Sequence, residues 1–157
     1  MNILKIIKEE IEDFDWIKDN SIDGEELRNL ILQQRATTIP FKHVDGDLYL
    51  YGTQIESLGN LESVGENLYL DGTQIESLGN LESVGRNLDL YGTPIKSLDN
   101  LKSVGGYLDL RGTPIKSLGN LKSVGGNLYL RGTPLAKKYS EEQIRTMVNV
   151  HGNIYLW

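Results

Sequence analysis

From residue 41 onward the apolar positions fall into a repeating pattern. Within Val64 to Ser83, VGENLYLDGTQIESLGNLES, Leu68 and Leu70 alternate with Asn67, Tyr69 and Asp71. A period of two predicts a short, half-buried strand. Gly72 breaks the strand at a position where a positive φ is expected. Thr73 follows, facing inward, with a hydroxyl able to bond the turn backbone. Ile75, Leu78, Leu81 and Val64 complete one buried column, and Asn80 and Gly65 punctuate the return path. The unit then recurs every twenty residues. Leu48, Leu68, Leu88, Leu108 and Leu128 keep that interval, as do Leu50, Leu70, Leu90, Leu110 and Leu130. Gly52, Gly72, Gly92, Gly112 and Gly132 keep it too, each followed by Thr. So strict a short period predicts a solenoid, in which each unit buries its apolar face against its neighbours. Twenty residues leave no room for a long helix, so the outer side is expected to be extended or 3₁₀.

Parallel strands are predicted near 47–51, 67–71, 87–91, 107–111 and 127–131, with a sixth at Asn153 to Trp157. The crossover rule makes the coil right-handed. Asn153 follows Asn127 by 26 residues, six more than the period. The extra length reads as a helix over 140–149. Ser140 is its N-cap, Gln143 completes a capping box, and Ile144, Met147 and Val148 share one face. Before the repeats, Ile3, Ile7, Ile11, Phe14 and Ile17 stand at helical spacing over residues 3 to 18. Asp19-Asn20-Ser21 reads as a turn. A second helix starts at Asp23, with Glu26 as its capping-box partner and Ile22 and Leu27 placed as a hydrophobic staple. Leu27, Leu30 and Ile31 form its buried face, and it ends before Pro40. Residues 1–40 are thus expected to be a two-helix cap on a solenoid of residues 41–157, together one structural domain. The alternative is that the helical pair is a separate partner-binding surface.

The spacing Gly65-x-x-Leu68-x-Leu70-x-x-Thr73-x-Ile75 resembles the leucine-rich repeat, L-x-x-L-x-L-x-x-N-x-L. Two positions depart from it. Gly65 replaces the first leucine, with Val64 as substitute, and Thr73 replaces the buried asparagine, so a threonine ladder is expected. The resemblance covers roughly residues 41 to 157, and is to the twenty-residue variant found in bacterial and bacteriophage proteins. It implies an α/β repeat solenoid with a mostly non-helical convex side and a concave sheet that binds a protein partner. For a phage- or bacteria-encoded chain it further implies an inhibitor of a host protein. Fold alone does not establish such a role.

Length and composition narrow this picture. With 157 residues the chain has the size of one domain, and its 39 % apolar content suits a thin core. It has no cysteine, hence no disulfide and no thiol chemistry. No apolar run approaches the ~20 residues of a membrane span. The opening MNILKIIKEEIEDF carries acids too early for a signal peptide, so a cytoplasmic protein is expected. The net charge of −6 disfavours a nucleic-acid backbone as ligand. Charge is also segregated. Residues 47–86 hold seven acids and one base, net −6, and residues 87–131 hold six bases and three acids, net +3. Glu56, Glu62, Glu76 and Glu82 give way to Lys96, Lys102, Lys116 and Lys122 at the same repeat positions. Such charges read as a solvated face. Alternatively they form a field that orients a partner or a second copy.

The residues that break the repeat are the candidate chemistry. Three outward columns run across the strands. The first is Asp47, Asn67, Asn87, Tyr107, Asn127 and Asn153. The second is Tyr49, Tyr69, Asp89, Asp109, Tyr129 and Tyr155. The third is Tyr51, Asp71, Tyr91, Arg111, Arg131 and Trp157. Seven of the eight tyrosines lie in these columns. Tyrosine suits strands and stacks between neighbours. That does not explain its exchange with Asp and Arg at the same positions. Tyr, Trp and Arg are the residues of binding hot spots. The expected partner-binding face is therefore Tyr49, Tyr51, Tyr69, Asp71, Asp89, Tyr91, Tyr107, Asp109, Arg111, Tyr129, Arg131, Tyr155 and Trp157. A second expectation is a self-associating edge at Ile154, Leu156 and Trp157, giving a homodimer. A third is a glycan or nucleotide binder on the tyrosine columns.

Catalytic and metal readings find little support. Asp19-x-Ser21-x-Asp23-Gly24 matches the start of a calcium loop, but Leu30 stands where the bidentate Glu belongs. His43 and His151 fall about five strand spacings apart, roughly 24 Å. No phosphate-binding loop with Lys-Ser/Thr is present. Asp89 and Asp109 are neighbouring carboxylates, expected on a solvated sheet with little shift in pKa. The sequence therefore predicts a non-enzyme with no cofactor, no metal and no membrane partner.

Overall fold

The structure, a computed structural model, describes residues 21–34 and 37–157. The repeats wind as a parallel β-solenoid in which each coil contributes two short strands. One sheet has seven strands: β1 (Ser21–Asp23), β2 (His43–Asp45), β4 (Ser63–Val64), β6 (Ser83–Val84), β8 (Ser103–Val104), β10 (Ser123–Val124) and β12 (Asn149–Val150). The other has six: β3 (Leu48–Tyr49), β5 (Leu68–Tyr69), β7 (Leu88–Asp89), β9 (Leu108–Asp109), β11 (Leu128–Tyr129) and β13 (Ile154–Tyr155). Strands pair in sequence order and in strict register, Leu48 with Leu68, Leu68 with Leu88, and so to Ile154. Val64, Leu68, Leu70, Ile75, Leu78 and Leu81 are each at most 2 % exposed, so every apolar position of the unit is core.

The second sheet was not expected. The periodicity predicts six strands in one sheet, with Val64 substituting for the missing leucine. In a coil that stacks on a copy of itself, any extended segment meets its own copy one strand spacing, ~4.8 Å, away. Ser63-Val64 is such a segment, with serine outward and valine in the core, and it pairs as a strand of its own. Glycine makes this close stacking possible. A Cβ on Gly85 would lie 1.8 Å from the Gly65 carbonyl oxygen, and one on Gly125 would lie 2.1 Å from that of Gly105. Gly65 therefore belongs to a column that lets backbones touch.

The turn after the second leucine forms as its residues predict. Gly72 has φ 69°, and the buried Thr73 donates its hydroxyl to the Leu70 carbonyl at 2.7 Å. Thr53, Thr93, Thr113 and Thr133 repeat that bond to Leu50, Leu90, Leu110 and Leu130. Each bond stays within its own coil, so no threonine ladder runs between coils. A threonine side chain is too short to span a strand spacing when a carbonyl lies closer. Asparagines span it instead. The Asn67 side-chain oxygen accepts the Asn87 N–H at 3.0 Å, and that of Asn87 accepts the Tyr107 N–H at 2.9 Å. At another corner the side-chain amides of Asn80, Asn100 and Asn120 donate to the carbonyls of Gly59, Gly79 and Asp99.

Asp99 replaces glycine at a left-handed turn position. Its φ is 48°, beside 57–58° at Gly59, Gly79 and Gly119. Its carboxylate accepts from Ser77 Oγ at 2.5 Å and from the Gly79 N–H at 2.9 Å, tying two coils together. Burial raises its pKa, but the hydrogen bonds from Ser77, Ser97 and Gly79 outweigh this and hold it below the usual aspartate value. A depressed folded pKa adds stability above the unfolded pKa, and that stability is lost as pH falls through the folded one. We expect the stability difference between wild type and Asp99→Asn to be present at pH 6 and to shrink steadily below about pH 4. Urea titrations at a series of pH values measure this, and a difference independent of pH would contradict it.

Helices occur, among the described residues, only at the ends of the solenoid. They are α1 (Gly24–Gln34), α2 (Pro134–Lys138) and α3 (Glu141–Met147). Of the expected N-terminal pair, α1 is the second member, while the first, over residues 3 to 18, lies outside the described residues. Asp23 Oδ1 caps α1 by accepting the N–H groups of Glu25 and Glu26, at 2.9 and 3.1 Å. Ser140 and Gln143 form both arms of the capping box on α3. The short α2, capped by Thr133 with Pro134 in its first turn, was not foreseen.

Two arginines finish the sheet edges. In each interior coil the carbonyl at the Tyr69 position accepts an N–H from the coil before, as Leu50 N–H gives to Tyr69. The first coil has no repeat before it. Arg28 of α1 takes that place and donates Nη1 to the carbonyls of Tyr49 and Tyr51. At the other end Arg145 of α3 donates to the carbonyls of Val150 and Gly152, at 2.8 and 3.0 Å. These are the positions that in earlier coils accept from the coil after. We expect Arg28→Ala to cost about 1.5 kcal/mol, the usual worth of a charged donor on a neutral acceptor. Amide exchange should accelerate at Leu48 and Leu50 and stay unchanged at Leu108 and Leu110. Uniform acceleration across all coils would show that Arg28 does not act at the edge.

Candidate functional site

The outer face of the six-stranded sheet carries the residues that vary from coil to coil. Strand register places Tyr49, Tyr69, Asp89, Asp109, Tyr129 and Tyr155 side by side in one column. Tyr51, Asp71, Tyr91, Arg111, Arg131 and Trp157 form the next. Tyr49, Tyr51, Tyr91, Arg111, Arg131, Tyr155 and Trp157 are exposed, while Tyr69, Asp71, Asp89, Tyr107 and Tyr129 are half-buried. Asp109 is buried, at 2 % exposure.

The aromatic rings pack on one another along the stack. Tyr49 and Tyr69 are parallel with centroids 5.1 Å apart, and Tyr129 and Tyr155 likewise at 4.8 Å. Tyr107 meets Tyr129 edge-on at 6.1 Å. The column thus has a tyrosine stack at each end and two carboxylates between. No ring-sized gap separates the stacked pairs, so a sugar or base has only their outer faces to stack on.

Asp109 and Arg111 satisfy each other. Arg111 Nε lies 2.9 Å from both carboxylate oxygens of Asp109, Nη2 adds a third contact, and the Arg111 N–H donates to Oδ1 at 3.0 Å. The guanidinium carbon lies 5.4 Å from the ring centres of both Tyr91 and Tyr129. A planar cation between two rings and on a buried carboxylate is well held. Asp89 is placed differently. Burial, then the neighbouring charges of Asp109 and Asp71, push its carboxyl above the usual value, opposed chiefly by the Tyr91 N–H it accepts. The sequence reading left this carboxylate on a solvated sheet, with little shift. In the structure Asp109 is buried and Asp89 half-buried, so the pair does not lie on an open, solvated surface. Burial foremost, with a hydrogen bond to Tyr69, also raises the Tyr107 hydroxyl.

The first outward column divides into structure and exception. Asp47, Asn67, Asn87 and Asn127 each accept the N–H of the same position in the next coil. Tyr107 breaks that ladder, for a phenol cannot bond the Asn127 N–H in this way. The ladder was legible as a position kept nearly constant while its neighbours varied. Near the start of the sheet, Asp23, Glu25, Arg28, Asp47, Tyr49 and Tyr51 line an open cleft of about 380 Å³, in which Arg28 already lies 4.7 Å from the Tyr51 ring centre.

Away from this face, the charge segregation resolves into ion pairs between coils. Lys96 meets Glu76 at 2.6 Å, Lys102 meets Glu82 at 2.7 Å, and Lys42 meets Glu62 at 2.6 Å. Exposed pairs of this kind contribute about 0–1 kcal/mol each. The residues expected at a self-associating edge sit mostly inside the chain: Ile154 is 7 % and Leu156 9 % exposed, against 87 % for Trp157. Lysine at Ile154 or Leu156 would therefore disrupt the last coil before it tested association.

Asp23 serves as a helix cap and Asp19 lies outside the described residues. Among the described residues no cluster of three or more potential metal ligands occurs, and no helix is long and apolar enough to cross a membrane. Comparison with protein-family models, with curated proteins and with solved structures finds no match.

Proposed function

We propose that the chain is a non-catalytic binding module that holds a protein partner on the outer face of its six-stranded sheet. One observation carries this reading. Positions the coil requires are uniform: Leu, Leu, Gly, Thr and, in four of six coils, Asn. The two outward columns beside them change among Tyr, Asp, Arg and Trp. Packing does not ask for that variation, and these residue types dominate binding hot spots. At Tyr107 the chain even gives up a ladder hydrogen bond and places an aromatic ring on this face. Such local departures from a repeat's own rule are expected where function overrides stability. The leucine-rich-repeat resemblance, with a right-handed coil, supports the same reading, as does its implication of an inhibitor of a host protein.

The test is affinity capture on immobilised protein, followed by competition between variants. Tyr107→Asn restores the ladder residue, and Tyr91→Ser with Arg131→Glu alters exposed side chains. These changes should weaken capture of a specific partner at least about tenfold, while Ser83→Glu with Ser103→Glu, on the other sheet, should leave it unchanged. The reverse pattern would move the site to the seven-stranded sheet. Arg111 is unsuitable for charge reversal, because it also holds Asp109.

A further inference from the structure

The second outward column sets its tyrosines in two pairs, one at each end of the six-stranded sheet. Tyr49 of β3 is the register partner of Tyr69 of β5, and Tyr129 of β11 that of Tyr155 of β13. Register partners stand one strand spacing, ~4.8 Å, apart. The rings keep that distance. Their centres lie 5.1 Å apart with 1° between the planes in the first pair, and 4.8 Å apart with 7° in the second. The hydroxyls are tethered too. Tyr49 donates to Asp47 Oδ2 at 3.1 Å, and Tyr129 and Tyr155 accept from the side-chain amides of Asn127 and Asn153 at 3.1 and 3.2 Å. Tyr129 and Tyr155 are thus held the same way by the residue two before each, with their ortho carbons side by side. One ring of each pair is exposed, Tyr49 and Tyr155, and the other is half-buried. Tyr51 and Tyr91 are more exposed, at 48 and 54 %, but the same position in the adjoining coils is Asp71 or Arg111, never tyrosine.

We propose that these pairs are oxidative cross-linking sites, at which a one-electron oxidant of the haem-peroxidase class joins Tyr49 to Tyr69 and Tyr129 to Tyr155 as dityrosine and so locks the outermost coils. Each tyrosine gives one electron to the oxidant and loses its phenolic proton. At Tyr49 the proton passes to the Asp47 carboxylate it already bonds, and at the others to water. The two phenoxyl radicals then join through their ortho carbons, forming one C–C bond. Each ring returns its ortho hydrogen to its own oxygen and is again a phenol. Two electrons and two protons leave per link, and they reduce one hydrogen peroxide to two waters. Register is what selects the partner, because a radical with a second tyrosine already stacked on it couples within the chain rather than with another molecule. The positions of the links give them a consequence. Strands β3 and β13 each pair with one strand only. In a solenoid held by contacts between neighbours, such coils open first. The links close loops of 20 and 26 residues, and a closed loop restricts the unfolded chain. The inference rests on ring geometry and does not depend on the binding role of this face.

The experiment treats the whole protein, in dilute solution, with a haem peroxidase and hydrogen peroxide. Dityrosine fluorescence and intact mass follow the reaction, and digestion after glutamate, which separates Tyr49 from Tyr69 at Glu56, locates the links. The expected product is a monomer that has lost four hydrogens, with the links Tyr49–Tyr69 and Tyr129–Tyr155. Tyr49→Phe with Tyr155→Phe keeps both ring stacks and should lower the dityrosine yield about tenfold, whereas Tyr51→Phe with Tyr91→Phe should leave it unchanged. The oxidised wild type should unfold at a higher urea concentration than the untreated protein, with slower amide exchange at Leu50 and Leu130. Links formed mainly between chains, links at Tyr51 or Tyr91, or a yield indifferent to the first pair of substitutions would overturn the assignment of the sites. Cross-linked protein with an unshifted urea midpoint would overturn the locking of the outermost coils.

Discussion

Gly105→Ala is expected to destabilise the protein by about 3 kcal/mol, the upper range for forcing a methyl into a packed site. A Cβ at this position would lie 2.0 Å from the carbonyl oxygen of Gly85. The obstructing atom is backbone, held in a ladder that includes the Gly105 N–H to Val84 bond at 2.9 Å. No side chain can swing away, so the coils must part. Gly112→Ala is the informative control. Its Cβ would meet nothing closer than 3.9 Å, but its φ is +71°. That substitution should cost only the left-handed penalty, about 1–2 kcal/mol. Urea unfolding of both variants measures the difference. Equal losses would mean that the coils do not approach as closely as the glycine column implies.

Arg111→Ala is expected to cost about 2–3 kcal/mol. It leaves the carboxylate of Asp109, 2 % exposed, without its bidentate partner. Breaking a buried pair from one side is generally worth about 3–5 kcal/mol, and the half-exposed arginine places this case below that range. Asp109→Asn in the Arg111→Ala background should recover part of the loss, since a neutral amide tolerates the site better. The double-mutant cycle should therefore show a coupling of about 1 kcal/mol or more. Additive losses would show that the two side chains do not depend on each other. The result also bears on function, because it separates residues that build this face from residues free to contact a partner.

Much of the fold was legible because it is written in periodicity. The twenty-residue interval, the leucine pair, the glycine turn and the Ser140 cap each follow from local chemistry, and each lies where its residues place it. What escaped the reading depends on distances between coils. Gly65 looked like a missing leucine, and only the 1.8 Å approach at Gly85 shows why glycine stands in that column. Ser63-Val64 is too short to read as a strand, and becomes one only when stacked on Ser83-Val84. The spacing predicts a threonine ladder at Thr73, but asparagines supply it, because hydroxyl reach cannot be judged from spacing alone. Nothing in the repeat pattern singles out Arg28 or Arg145. Their role as substitutes for absent coils exists only at the solenoid's ends.

The face itself was partly legible. The alternation rule put Tyr49 through Trp157 on one side of the strands, and the register confirms those columns. The sequence could not show that Asp109 is sealed beneath Arg111, or that the tyrosines at both ends stack on each other. Both facts narrow the presented surface to Tyr51, Asp71, Asp89, Tyr91, Tyr107, Arg131, Trp157 and the outer rings of the stacks.

The most direct measurement is an NMR chemical-shift map of the protein with a captured or library-selected polypeptide ligand. The account predicts shifts concentrated at Asp71, Asp89, Tyr91, Tyr107 and Arg131, with the Ser63, Ser83, Ser103 and Ser123 ladder unmoved. Shifts centred on that serine ladder, or on the helices at either end, would contradict the assignment of the six-stranded sheet as the binding face.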